Sequence, residues 1–415
     1  MLFKIAWRNI WRSKTRSIVV ILSIAVGVWA LSFVLSFSNG ITQTFVQNAI
    51  KDQYSHIQLH HPKFPEDKNS KYFLGNKTET LEKIRQIPDI EAVTSRIIST
   101  GMVSSSRGAR GVQIMGITPE SEKAVTNFDK HLTDGEFFSE GKKNQILISE
   151  RIAEKLKVKI RNRIVLTFQN MEGEITAAAF RIVGLFNTGN MLRDETLVYV
   201  LENDLKKNLI PENPEDSTII YSENIANEIA IYLSEAGNIQ QIKSDLKNNF
   251  SDALIEDYWE LSPDVELYET QIDTSNSIII TIFMLALIFG IINTMLMAVL
   301  ERYKELGMLM AIGMNKAKIF FMIVLETLML AAVAAPIGLG IGFFTVYMLQ
   351  DTGIDLSAFA KGLERFGMET TIFPVLDFPL YSRIATAVFI TALLASIYPA
   401  RKAIKLNPVE ALHKI

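Results

Sequence analysis

ERYKELGMLMAIGMNKAKIF, residues 301–320, sets a charged cluster between two long apolar runs. Upstream, Ile278–Leu300 carries no charge; downstream, Ile319–Leu349 carries only Glu326. Two further apolar runs, Ser17–Phe37 and Ile384–Ala400, lie toward the ends of the chain, and Leu380 and Tyr381 extend the second of them. A helix of about 20 residues crosses the ~30 Å hydrocarbon core of a bilayer. All four runs meet that length, the last with its extension. Ile319–Leu349 overshoots it at about 1.5 Å per residue, so it must tilt, kink or protrude. Pro336 marks the expected kink, because proline removes a backbone donor and clashes with the preceding turn.

A mean hydropathy of +0.19 with 21% charged residues averages over two materials, one for lipid and one for water. The 415 residues have room for two to three domains. A net charge of −3 and the lack of a long basic arm argue against nucleic acid as a partner. The absence of cysteine excludes disulfides and thiolate metal sites.

Orientation follows from basic residues in the short flanks. Residues 1–16 carry Lys4, Arg8, Arg12, Lys14 and Arg16 without an acid; the 301–318 loop carries Arg302, Lys304, Lys316 and Lys318; the tail carries Arg401, Lys402, Lys405 and Lys414. Asp351–Pro379 instead has only Lys361 and Arg365 against Asp351, Asp355, Glu364, Glu369 and Asp377. Both termini and the 301–318 loop are therefore expected in the cytoplasm. The first apolar run is long for a signal peptide and lacks a small-residue cleavage site, so it reads as an uncleaved anchor. Before it, LFKIAWRNIWRSKTRS places Phe3, Ala6, Trp7, Ile10 and Trp11 on one helical face and Lys4, Arg8 and Arg12 on another. Such a helix suits the inner headgroup layer, with Trp7, Arg8, Trp11 and Arg12 forming a membrane elbow.

The expected order is elbow 1–16, first span 17–37, outer domain 38–277, second span 278–300, connecting loop 301–318, third span 319–349, outer loop 350–379, fourth span 380–400 and tail 401–415. The outer segment reads as mixed α+β. HIQLHH alternates as a strand, ETLEKIRQI is a short helix before Pro88, and IEAVTSRIISTGMVSS and GVQIMGI are strands joined by a turn. QILIS runs into a helix; RIVLTFQ, AAFRIVGLF and TLVYVL are strand-like; EIAIYLS followed by NIQQIKSDLKNNF repeats strand and helix. The strand-rich stretch of about 133–220 reads as a β-rich subdomain inserted into a split α/β unit. His56 and His60 on one strand would sit roughly 13 Å apart, too far to share a metal ion. No nucleophile–base constellation stands out, and Gly141-Lys142 lacks the upstream glycine of a phosphate loop.

The charged stretch resembles the segment after the second span of FtsX-like, MacB/LolCDE-type ABC permeases: an acidic residue, Arg, two variable positions, Glu, Ile or Leu, Gly, then Ala and Gly at the same spacing. Glu301, Arg302, Glu305, Gly307, Ala311 and Gly313 hold those positions. The opening IAWRNIWRSKTRS and the closing IYPARKAIKLNPVEALHKI agree, as does one long outer domain between spans one and two. The resemblance implies four membrane helices plus a large extracytoplasmic α+β domain, porter-like with an inserted β-rich subdomain. It implies a coupling helix seated in a groove of a separate LolD/MacB-like ATPase, with Glu301, Arg302, Lys304 and Glu305 pairing across the interface. Leu306, Leu309, Met310 and Ile312 would offer that partner an apolar face, and Gly307, Ala311 and Gly313 close approach and a turn. ATP and Mg would be bound and hydrolysed by that partner, and this chain would bind no cofactor or metal.

A second permease copy or paralogue, an inner-membrane location and both termini in the cytoplasm follow from the same resemblance. Glu326 is expected to pair with Arg302 or Arg16, and Gly338 and Gly342 to form a helix-packing face. The loop after the third span, with Phe359, Phe366 and Phe373, resembles the lipoprotein-releasing LolC/LolE branch, so these residues are candidate contacts for an acylated substrate and its periplasmic carrier. Efflux through a tunnel partner and regulation of a cell-wall hydrolase without transport are the rival readings.

Overall fold

In a computed structural model the described residues are 2–12, 14–139, 141–210, 224–234, 238–363, 370–375 and 377–405. They divide into a helical unit (1–43, 268–355 and 371–415) and an outer unit (44–267 and 356–370).

The outer unit is built on β1 (Ile57–His60), β2 (Ile90–Ser105), β3 (Gly108–Ile117), β4 (Leu132–Gly135), β5 (Gln145–Ser149), β6 (Arg163–Gln169), β7 (Ile175–Phe186), β8 (Leu197–Leu201), β9 (Glu228–Leu233) and β10 (Leu254–Asp257). All ten belong to one sheet. Alternation is plain in β6, where Ile164, Leu166 and Phe168 point inward while Arg163 and Val165 stay exposed; β1 and β5 are buried on both faces. β2 is long enough to serve two neighbourhoods. Its first half pairs with β9 and its second half with β6, while β3 runs antiparallel along the second half and beyond. The pairs β2–β3, β3–β8, β8–β5, β5–β7, β7–β6 and β6–β2 close a six-stranded ring. Val103, Ile114, Ile146, Ile148, Leu166, Phe180, Ile182 and Val200 fill it. A second core, with Leu59, Ile84, Ile229, Ile231 and Leu246, lies under β1, β9 and the helices Lys77–Arg85 and Ile239–Asn249.

The β-rich subdomain expected at about 133–220 shares its sheet with strands outside that range. β4 to β8 do fall in that range, but the ring cannot close without β2 and β3, which lie outside it. A strand's partners are set by closure of the sheet, not by sequence adjacency. Residues 211–223 of that range lie outside the described residues.

Among the described residues four helices are long and apolar enough to cross a membrane: Lys14–Ala49, Pro263–Glu301, Lys316–Thr352 and Phe378–Ile404. The first two run well past the expected spans 17–37 and 278–300, so the main stretch of the outer unit is Thr44–Leu267 where 38–277 was expected. Hydropathy marks only the part for lipid; helix continues residue by residue past it until something stops it. In the first helix the stop is a wide turn at Ile50–Tyr54, closed by Ser55 at φ 57. The third helix stays helical through Pro336.

Small residues set the packing of the helical unit. A Cβ on Gly338 would lie 2.5 Å from the carbonyl oxygen of Ala25, and one on Gly342 would collide with the Ser32 hydroxyl. These two glycines are the close-approach face between the first and third helices. Trp29 Nε1 donates to Thr345 Oγ1 across the same contact at 3.2 Å. Half of the third helix's most apolar window is buried, against 17% for the second. The third helix is the hub of this unit.

Candidate functional site

The second membrane helix breaks at Arg302, whose φ of −98° and ψ of 18° leave the helical region, and a short helix, Tyr303–Ala311, follows. That helix ends in a turn at Gly313, whose φ of +99° favours glycine. Asn315 then caps the third membrane helix, its Oδ1 accepting from the Ala317 N–H at 3.1 Å.

Four charges run from surface to interior through this junction. Arg12 Nη2 lies 2.9 Å from Glu305 Oε1. Arg302 Nε donates to Glu305 Oε2 at 3.2 Å, and its Nη1 donates to both oxygens of Glu326 at 3.1 and 3.3 Å. Side-chain exposure falls along the chain, from 70% at Arg12 and 40% at Glu305 to 17% at Arg302 and 7% at Glu326. The expected Arg302–Glu326 pair is present. The Arg12–Glu305 pair, which ties the elbow to the short helix, was not legible in the sequence.

Expected interface residues separate by helical phase. Leu306 and Gly307 are buried in the chain's own core, and Leu309 and Met310 pack against it. Only Ile312 of the expected apolar face points outward, 79% exposed, and Met308 joins it. The outward set is Glu301, Lys304, Met308, Ala311, Ile312 and Gly313. The correction has a simple cause: residues 306, 309 and 310 share one side of the short helix, the side that packs into the chain's own core. Met308, four residues from both Lys304 and Ile312, was recoverable by the same phase argument.

The elbow helix, Leu2–Arg12, divides its apolar face in two. Ala6 and Ile10 are buried, while Phe3, Trp7 and Trp11 remain exposed, the two indoles edge to face at 6.0 Å. Arg8 is exposed. Ser17 Oγ donates to the Ile10 carbonyl at 2.6 Å and links the elbow helix to the first membrane helix.

The described loop candidates fall in different units. Phe359 sits on an exposed turn of the outer unit, 68% exposed. Phe373 belongs to the helical unit, where its carbonyl lies against Gly40 and the neighbouring Val375 N–H donates to the Ser36 carbonyl at 3.0 Å. Phe366 lies outside the described residues. The outer unit also holds a cavity of about 320 Å³, lined by Phe45, Asp52, Gln113, Asn190, Arg193 and Val265 among others. Its walls come from segments far apart in sequence, so no local signal announces it.

Comparison with known proteins gives two family-model matches: FtsX-like permease C-terminal over residues 277–408, and MacB-like periplasmic core domain over residues 17–249. The macrolide export ATP-binding/permease protein MacB of Campylobacter jejuni is 24% identical over 99% of this chain and 61% of that protein. The lipoprotein-releasing system transmembrane protein LolE of Haemophilus influenzae is 21% identical over 99% of this chain and 98% of that protein. The periplasmic region of MacB from Actinobacillus actinomycetemcomitans is similar over 54% of this chain and 97% of that one, at 12% identity and a TM-score of 0.36. The chain thus spans 61% of the length of the MacB relative it matches.

Proposed function

This chain belongs to the ABC transporter permeases that join a MacB-like periplasmic core domain to an FtsX-like C-terminal region, and from that premise we propose that it relays work from a cytoplasmic ATPase to a substrate outside the membrane. The observation that carries the reading is the short helix Tyr303–Ala311. It is anchored inward by Leu306 and by charge, and it presents Lys304, Met308, Ala311 and Ile312 outward. A mixed apolar and charged strip of this size suits a groove on a partner. By the basic-residue bias, both termini and this helix face the cytoplasm of a bacterial inner membrane, and the outer unit faces the periplasm.

The partner would be a LolD/MacB-like ATPase that binds ATP and Mg; this chain would hydrolyse nothing itself. Two permease copies, or this chain and a paralogue, would pair with two ATPase subunits. Apart from Glu326, which Arg302 neutralises, the described residues of these helices bury only uncharged polar groups such as Ser32, Asn276, Thr327 and Ser396, which supports a substrate handled outside the bilayer centre. The substrate class favoured here is a lipoprotein, released from the outer leaflet to a periplasmic carrier. The LolE similarity over nearly the whole of both chains, together with exposed Phe359 and Phe373, supports it. Photo-crosslinkers at Phe359 and Phe373 in membranes containing the ATPase should capture an acylated protein and lose it when ATP is added.

Efflux is the second reading, favoured by the similarity to MacB and by the cavity of about 320 Å³ in the outer unit. Capture of a non-acylated peptide or drug at Gln113 or Asn190, with none at Phe359, would select it.

A further inference from the structure

Charges held away from bulk water are normally paired. Arg193 of the outer unit is an exception. It is half-buried on the helix Met191–Thr196, and among the described residues no carboxylate lies within salt-bridge distance of it. Its side chain makes one bond there, from Nη2 to the hydroxyl of Tyr199 at 2.8 Å, and that partner is neutral. The adjacent Asp194 is turned to Thr188 instead, accepting from its N–H and its hydroxyl. The helix carrying Arg193 is fixed in place, because Asn190 Oδ1 accepts from the Leu192 and Arg193 N–H groups at 3.1 and 3.2 Å.

Arg193 lines the cavity of about 320 Å³, a size within the range of ligand pockets. The lining falls within 44–267, so the cavity belongs to the outer unit alone. Asp52 is the one acid that lines it among the described residues, and His131 already holds it, Nε2 to Oδ1 at 3.0 Å. That bond raises the His131 pKa and keeps the imidazole cationic to higher pH. The charge left over in the cavity is therefore positive. Two carboxamides, Asn48 and Gln113, line it as well, and their side chains have no partner among the described residues. A carboxamide offers a donor and an acceptor side by side, the complement of a peptide group. Met115 and Val265 add apolar wall.

We propose that this cavity binds the C-terminal end of a short peptide, with the carboxylate on the N–H groups of Arg193 that Tyr199 leaves free and a backbone amide on Asn48 or Gln113. Arginine is the side chain best suited to hold a carboxylate. The peptide's ammonium has no counterpart, since Asp52 is taken. The carboxylate is therefore essential to binding and the ammonium dispensable. As a substrate class the peptide rests on the second reading above; as a site it does not, because binding is measured in the chain alone, without an ATPase or transport.

The protein has no cysteine, so a single introduced thiol reports without background. Leu192 lines the cavity and is 75% exposed, whereas Ile175 on β7 is 77% exposed and lies outside the lining. Labelling of Leu192→Cys by N-ethylmaleimide would be timed in the full chain, with Ile175→Cys as the control. The chain would be held in nanodiscs of phosphatidylethanolamine and phosphatidylglycerol. The probes are trialanine, its C-terminal amide, its N-acetyl form and inorganic phosphate. Trialanine at millimolar concentration should slow labelling of Leu192→Cys and leave Ile175→Cys unchanged. The N-acetyl form should protect equally well. The C-terminal amide should need about tenfold more for the same protection, because a hydrogen bond to a charged group is lost. Arg193→Gln should raise the trialanine requirement and erase the difference between acid and amide. Protection by neither, or equal protection by acid and amide with Arg193 intact, would overturn the proposal. So would phosphate protecting as well as trialanine, which would make this a site for a bare oxyanion. These comparisons keep Arg193 in place, so they decide the matter even if Arg193→Gln does not fold. Failure here leaves both readings of the function standing, since neither requires a peptide carboxylate in this cavity.

Discussion

Two arginines in this molecule are each held between two glutamates, and they have opposite surroundings. In the outer unit Arg96 is fully enclosed. Its Nε and Nη2 meet Glu122 at 3.0 and 2.7 Å, and its Nη1 meets Glu228 at 2.5 Å. Glu228 passes the contact to His60 Nε2 at 3.2 Å. Burial opposes ionisation of Glu228, but Arg96 and His60 outweigh it and hold its carboxyl at about 2. In the helical unit Arg302 has one enclosed partner, Glu326, and one half-exposed partner, Glu305, which leads out to Arg12. The same side-chain types give a closed fastening in one place and an open-ended one in the other. An enclosed charge network resists rearrangement because any broken contact strands a buried charge. An open-ended one can exchange its outer member at little cost, because exposed pairs are worth about 0–1 kcal/mol.

The difference predicts a hierarchy of mutational effects. Arg96→Met should be the most damaging, since it leaves Glu122 buried without a cation and Glu228 with His60 alone; a cost of about 3–5 kcal/mol is expected. Denaturant unfolding of the full chain, followed at Trp259 after Trp7, Trp11 and Trp29 are replaced by Phe, would measure it. Glu326→Gln should cost less, about 1–3 kcal/mol, because Arg302 keeps Glu305 and some access to solvent. Protection of the Tyr303–Ala311 amides from hydrogen exchange should fall while that of β2 does not.

A pH titration sharpens the comparison within the closed network. Burial alone would lower the His60 pKa, but the hydrogen bond to Glu228 and the nearby charge of Glu256 outweigh it, so the net shift is upward. The imidazole faces Glu228 on β9, Glu256 on β10 and the Phe64 ring, with Arg96 of β2 beyond Glu228. Its contribution is fully present below the unfolded value of about 6.5 and is lost as pH rises through the raised folded value. His56, just before the same strand, behaves oppositely. Burial first and Lys51 second lower it to about 4, and its Nδ1 accepts from the Leu233 N–H. The contribution of His56 is present above about 6.5 and is lost as pH falls toward 4. The unfolding midpoint at Trp259 should therefore fall on both sides, and His60→Gln should remove only the alkaline limb. The smallest effect belongs to the open end. Arg12→Gln should change the stability of the helical unit by less than about 0.5 kcal/mol, read as the thermal midpoint.

The four membrane helices were legible because lipid demands long uncharged runs, and the basic flanks stand out against them. Most outer strands were legible too, by alternation, as at Ile164, Leu166 and Phe168. The ring that these strands close was not, because β2 meets β6 across some sixty intervening residues and no local pattern encodes that pairing. At the junction, the family motif located Glu301 to Gly313 but not their directions. Leu306 was assigned outward because it is apolar beside charge, whereas its phase places it against Met322 and Ile323. Arg12 and Glu305 lie at opposite ends of the sequence, so their meeting could only come from the fold.

The central claim is that the short helix is where an ATPase docks. Photo-crosslinkers at Met308 and Ile312, with Leu306 as the buried control, test it most directly in membranes from cells producing the intact complex. The account predicts capture of an ATP-binding subunit at Met308 and Ile312, with a yield that changes when ATP is added, and none at Leu306. Capture of lipid alone, or of a second copy of this chain alone, at Met308 and Ile312 would contradict it.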